Sequence, residues 1–142
     1  VTSPTYQSGI LFTQAHKAVR ARVYDVLEQY ELTPTTWAIL GATADAPDGI
    51  RLSDIASTMG VKPPMISVLV DELIARRLLK RIPHHRDGRV KLLTVTERGR
   101  GLSGTIEQML DDEIARMLSG LNMGEVAVFE KALRIILANA QP

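Results

Sequence analysis

Two consecutive prolines, Pro63 and Pro64, constrain this chain more than any other pair of residues. Each lacks a main-chain N–H and holds φ near −65°, so inside a helix they would break it. In a first turn, where N–H groups have no intrahelical partner anyway, they are tolerated. A helix therefore begins near Pro63. Downstream of it Ile66, Leu69, Val70, Leu73 and Ile74 form one apolar face, which leaves Met65, Ser67, Val68 and Asp71 nearer the other. Upstream, the spacing predicts a short helix over 54–59, with Ser53 as N-cap and Asp54 at the positive end of the dipole. Ile55, Ala56 and Met59 share its apolar face, and Gly60 ends it in the left-handed conformation. With Val61 as the apolar pin of the turn, the two helices read as a helix-turn-helix, a device that reads DNA.

The residues that follow predict a basic hairpin. Apolar runs at 78–82 and 90–95 flank Asp87-Gly88, a turn signal, and a short strand at 50–52 is placed to add a third. His84, His85, Arg86, Arg89 and Lys91 crowd a loop too short to bury them, so they point at solvent or at a polyanion. Asp87 and Arg89 stand two apart across a glycine. The carboxylate can orient the guanidinium, and an oriented arginine fits a narrow minor groove or a phosphate. Arg86 and Lys91 are candidate phosphate contacts. Charge supports the polyanion: residues 62–100 hold ten basic and four acidic side chains, a balance of +6 that leaves −5 for the rest of a chain whose formal charge is only +1.

These motifs resemble the DNA-binding lobe of the MarR (multiple antibiotic resistance regulator) family of winged-helix regulators. The most specific element is Asp87-Gly88-Arg89 leading into Val95-Thr96-Glu97-Arg98-Gly99, similar to the family's wing signature D-x-R followed by L-T-x-x-G. Leu32-Thr33-Pro34-Thr35-Thr36-Trp37 is similar to the opening of the family's second helix. The resemblance implies that Lys62, Pro63, Pro64, Met65, Ser67 and Val68 face the bases in the major groove, with Arg86, Arg89 and Lys91 on the wing and Asp87 orienting it. The sequence departs from the family pattern in having Pro63 and Pro64 where polar residues are usual and Val68 where a basic one is common. Side-chain hydrogen bonds to base edges are then sparse, and thymine methyls or DNA shape must carry more of the reading. Arg77 replaces a usual glycine at the helix end, so either left-handed strain is tolerated there or the cap differs. The resemblance also implies an effector pocket for a small aromatic or phenolic ligand near the first, second and fifth helices, with His16, Arg20, Trp37 and Met109 as candidate lining.

The remaining chain reads as helices: about 6–30, after a loose end at 1–5; one capped by Thr33 with Pro34 at N1; one capped by Thr96 and running to about 118; and a last one to about 139. Asn122 and Glu125 spell a capping box, with Leu121 and Val126 as its hydrophobic staple. The last helix, with Val126, Phe129, Ala132, Leu133, Ile135, Ile136 and Leu137, is apolar over more than one face, and a second copy of the chain is the economical cover. The expected fold is thus mainly α (α+β), with dimerisation helices at 1–32 and 119–142, a winged helix-turn-helix lobe at 33–100 and a linking helix at 96–118.

Exclusions sharpen the functional class. The absence of cysteine removes disulfides, thiolate catalysis and thiol-based redox sensing. Adjacent His84 and His85 rarely share one ion, and His16 lies on a distant helix, so no metal site is expected. Without a phosphate-binding glycine loop or a distinct acid pair, no catalytic residues and no cofactor are expected. No apolar run approaches a membrane span and no basic leader precedes the apolar residues near the start, which predicts a cytoplasmic protein. The expected function is a ligand-responsive repressor that binds double-stranded DNA as a homodimer at a pseudo-palindromic operator. The alternative is a winged-helix protein-interaction module with weak or no sequence-specific DNA binding.

Overall fold

The computed structural model describes residues 3–142. Its elements run α1 (Pro4–Glu28), α2 (Pro34–Ala44), α3 (Leu52–Met59), α4 (Pro63–Ala75), β1 (Leu79–Pro83), β2 (Lys91–Val95), α5 (Glu97–Met117) and α6 (Met123–Asn139). This is the mainly helical α+β architecture expected. Compactness divides the chain into residues 1–110 and 111–142. Among the described residues no helix is long and apolar enough to cross a membrane.

In the first unit, α1 begins earlier than expected. The Ser3 hydroxyl accepts from the Tyr6 N–H at 3.1 Å and Pro4 takes the first turn, so Pro4 and Thr5 are helical rather than loose. Val1 and Thr2 lie outside the described residues. Most of α1 is exposed, and only Val26 and Leu27 are buried. They enter the same core as Ile39, Leu40, Ile55, Ile66, Leu73, Leu79 and Ile106. Each fully buried Leu or Ile contributes roughly 1.5–3 kcal/mol, which makes this shared core the main source of cohesion for the lobe.

Helix α2 opens as the sequence indicates. Thr33 and Thr36 form a reciprocal capping box, Thr36 N–H to Thr33 Oγ1 at 3.2 Å and Thr33 N–H to Thr36 Oγ1 at 2.8 Å, with Pro34 at the first position. Helix α3 departs from expectation. Its N-cap is Arg51, with no side-chain cap, and Ser53 already lies inside the helix. The reason is tertiary: Leu52 packs against the core, and the Asp54 and Ile55 N–H groups close on the Arg51 carbonyl at 3.0 and 3.2 Å. The same early turn shortens the expected third strand to a single bridge between Ile50 and Leu93. The hairpin pairs β1 with β2 antiparallel from Leu79–Val95 to Pro83–Lys91.

In the second unit, Asn122 and Glu125 close the expected capping box at the start of α6, both bonds at 2.9 Å. No residue of α6 is buried, and Met123, Val128, Phe129, Ile135, Ile136 and Leu137 are exposed in the single chain.

Candidate nucleic-acid interface

The turn between α3 and α4 is closed by Gly60 at φ 64°, with the Val61 N–H reaching the Ala56 carbonyl at 3.0 Å and the Gly60 N–H reaching Ser57 at 3.2 Å. This double bond pattern is the Schellman stop that a left-handed glycine permits without strain. Lys62 then caps α4 through its main chain only, and Pro63 and Pro64 occupy the first turn. Ile66, Val70 and Leu73 turn inward and are buried. Lys62, Pro63, Pro64, Met65 and Val68 are exposed, with Met65 at 59% and Val68 at 67%, while Ser67 is half-buried. Asp71 on α4 holds Arg81 on β1 at 2.7 Å, which fastens α4 to the hairpin.

The loop between β1 and β2 is ordered by its own side chains. The Asp87 carboxylate accepts the Arg89 main-chain N–H at 3.1 Å and its Nε–H at 3.2 Å, with Nη2 at 3.5 Å from the other oxygen. Those Arg89 donors, the side chain first, hold the Asp87 carboxyl below its ordinary pKa of 3.8, and nearby His84 and Arg51 act in the same direction. The Arg89 side chain remains 92% exposed, so it is oriented yet free to meet a ligand. Arg86 and Lys91 are exposed as well.

Two contributors to this loop were missed from sequence. His84 Nδ1 accepts the main-chain N–H groups of Arg86 and Asp87 at 3.1 and 3.3 Å, a role that the loop's charge pattern concealed, and its ring stacks on His85 at 4.5 Å. Arg51, exposed at the head of α3, lies within electrostatic reach of Asp87 and adds to the basic rim. Only the fold brings it there.

The four candidate effector residues fall into two environments. His16 and Arg20 are exposed on α1, and Arg20 donates to the Tyr24 hydroxyl at 3.2 Å with its guanidinium 5.4 Å from that ring's centre. Trp37 and Met109 are half-buried against the core, and the Tyr30 hydroxyl donates to Met109 Sδ at 2.8 Å. Tyr30 also joins the end of α4: its carbonyl and that of Glu31 accept from Arg76 Nη2 at 2.7 Å and Nη1 at 2.9 Å.

Comparison with known proteins agrees with this geometry. A family model described as the MarR family matches residues 30–90, which contain α2 to β1 and the loop that follows β1. The HTH-type transcriptional regulator MhqR of Bacillus subtilis (strain 168) is 26% identical over 141 residues, 99% of this chain and 97% of its own length. The structure of CouR from Rhodococcus jostii RHA1 bound to p-coumaroyl-CoA is similar with a TM-score of 0.76 and 26% identity, covering 100% of this chain and 99% of that one. Over residues 30–90 the chain matches the MarR family. That match and the likeness to the regulator MhqR support a DNA-binding regulator. A variant of S. aureus MepR bound to an oligodeoxyribonucleotide shares the fold, with a TM-score of 0.70 and 24% identity over 94% of this chain and 98% of that one.

The MarR wing signature has a physical basis here. Thr96 donates to the Arg77 carbonyl at 2.7 Å while accepting the Gly99 N–H at 3.0 Å, so one hydroxyl caps α5 and fixes the exit of α4. A Cβ on Gly99 would drive into the Leu78 carbonyl and meet Val95 Cγ2 at 2.8 Å, so glycine is required by space rather than by conformation. Arg77, where the MarR pattern has glycine, sits at φ 60° and keeps the Schellman bonds, Leu78 N–H to Leu73 and Arg77 N–H to Ile74, both at 2.9 Å. Left-handed strain of about 1 kcal/mol is therefore tolerated rather than avoided.

Proposed function

We propose that this regulator binds a pseudo-palindromic operator as a homodimer, represses transcription there, and is released by a small ligand. The observation that carries the reading is the wing: Arg89 is held in place by Asp87 while nearly its whole side chain faces solvent. A pre-oriented cation loses little freedom on meeting a phosphate or a narrow minor groove, so the contact retains most of its electrostatic gain. Arg86 and Lys91 add phosphate contacts, and the exposed residues of α4 from Lys62 to Val68 enter the major groove. Exposed apolar residues along α6 support pairing with a second copy, which would give the two-fold symmetry that an inverted repeat mirrors. An aromatic or phenolic effector is supported by the p-coumaroyl-CoA in CouR, and His16, Arg20, Trp37 and Met109 are proposed to contact it.

Selection of bound sites from random DNA tests this reading against a protein-interaction module, which the exposed Pro63-Pro64-Met65 patch would also suit. Enrichment of an inverted repeat is expected. On the enriched duplex, Arg89→Ala should weaken binding by on the order of 1–3 kcal/mol and flatten the salt dependence, because a charged contact and its released counterions are lost together. Unchanged affinity at every salt concentration would reduce the wing to a solvated hairpin.

A further inference from the structure

We infer that α4 reads its operator mainly by hydrocarbon contact with the C5-methyl groups of pyrimidines, which in ordinary DNA means thymine; the inference rests on the DNA-binding reading above. The head of a reading helix ordinarily offers free main-chain N–H groups as well as polar side chains. Here Pro63 and Pro64 have no N–H, and those of Met65 and Ile66 already turn back to the Lys62 carbonyl at 3.1 and 3.5 Å. Of the six residues proposed to face the bases, only Lys62 and Ser67 carry a side-chain donor, and Ser67 is half-buried.

What remains outward is hydrocarbon. Met65 and Val68 stand beside the two prolines, all four exposed. The exposed cations Lys62, Arg86, Arg89 and Lys91 lie on the same lobe, which favours a polyanion as the occupant rather than an apolar protein surface. In the major groove of duplex DNA the one apolar feature on a base edge is the thymine methyl. A surface without donors gains nothing from guanine O6 or N7, or from adenine N7, and each such atom brought against it loses a water.

The test replaces thymine by deoxyuridine, which keeps every hydrogen-bonding atom and removes only the methyl. A duplex enriched from random DNA by the full-length protein is remade with deoxyuridine at each thymine in turn. At contacted positions binding should weaken about fourfold per methyl, the factor one buried methylene-sized group confers. Writing 5-methylcytosine for cytosine at such a position in a cytosine-substituted duplex should restore part of the loss. In a Met65→Ala, Val68→Ala double variant the thymine-to-deoxyuridine ratio should fall to about one, whereas Arg89→Ala should weaken both duplexes and keep the ratio.

Equal binding of thymine and deoxyuridine duplexes by the parent would overturn the inference while leaving DNA binding intact. A deoxyuridine effect of the same size in the double variant would also overturn it, since the methyl would then act through DNA shape. If no duplex is enriched and none is bound at low salt, the DNA-binding reading itself fails, and this inference with it.

Discussion

Asp87 is held from two sides by one neighbour, and this has a definite pH consequence. Arg89 donates to it from the side chain and from the main chain, and the carboxyl titrates below 3.8 as a result. A carboxylate depressed in the folded state contributes ordering that is fully present above its ordinary value and is lost as pH falls through the lowered one. The wing tip should therefore stay ordered through the neutral and mildly acid range and loosen only in strong acid. Following the Asp87 carboxyl carbon by NMR should give a midpoint below 3.8, and Arg89→Ala should move it upward; an unmoved midpoint would mean that Arg89 is not the cause. This pair was legible in the sequence because both partners sit in one tight turn, where spacing alone brings them together. His84 was not, because accepting two main-chain N–H groups depends on a ring orientation that composition does not encode. Nor was the proximity of Arg51 to Asp87, which the packing of Leu52 and the Ile50–Leu93 bridge create from residues far apart in the chain.

At the scale of elements, stops and starts were the most readable feature. Pro63-Pro64, Gly60, Thr33-Pro34 and Asn122–Glu125 each act within one helical turn, and each marks its boundary in the structure. Ser53 failed as a cap because packing of Leu52 against the core started α3 two residues sooner, a case of tertiary packing overriding local preference. The same competition reduced residues 50–52 from a strand to a bridge. The joint between α4, β1 and α5 depends on Gly99 pressing against the Leu78 carbonyl. Gly99→Ala should destabilise the protein by on the order of 1–3 kcal/mol or more, since the obstacle is backbone that cannot swing aside. Chemical denaturation checks this, and a stability within a few tenths of a kcal/mol of the parent would show that the joint relaxes. Gly124 offers a contrast: a Cβ there meets only the Asn122 side chain at 3.3 Å, so Gly124→Ala should be far milder.

For the whole molecule, the sequence showed that α6 is apolar on more than one face, and the structure leaves it without a buried residue. Val128, Phe129, Ile135 and Leu137 on α6 are exposed large hydrophobics, as are Tyr6, Leu11 and Phe12 on α1, and exposed apolar groups of this kind favour association. Sedimentation at micromolar concentration should show a dimer, and a chain ending at Gly120 should be monomeric or insoluble; a well-folded monomer of the full chain would remove the basis for two-fold operator binding. The end of α1 also shares the core built by α2, α3 and α4. Arg76 makes that union consequential. Through its grip on the Tyr30 and Glu31 carbonyls, and the Tyr30 hydroxyl on Met109, the foot of the reading helix is two residues away from a proposed ligand contact. Any free-energy linkage between the two sites must act equally in both directions, and this chain of bonds offers a shared element to carry it. Arg76→Gln should therefore leave DNA binding and ligand binding each measurable alone while shrinking, toward one, the factor by which either weakens the other. Titrating a ligand found by thermal shift, with and without bound duplex, reads that factor directly, and an undiminished value in the variant would show that the two sites communicate without Arg76.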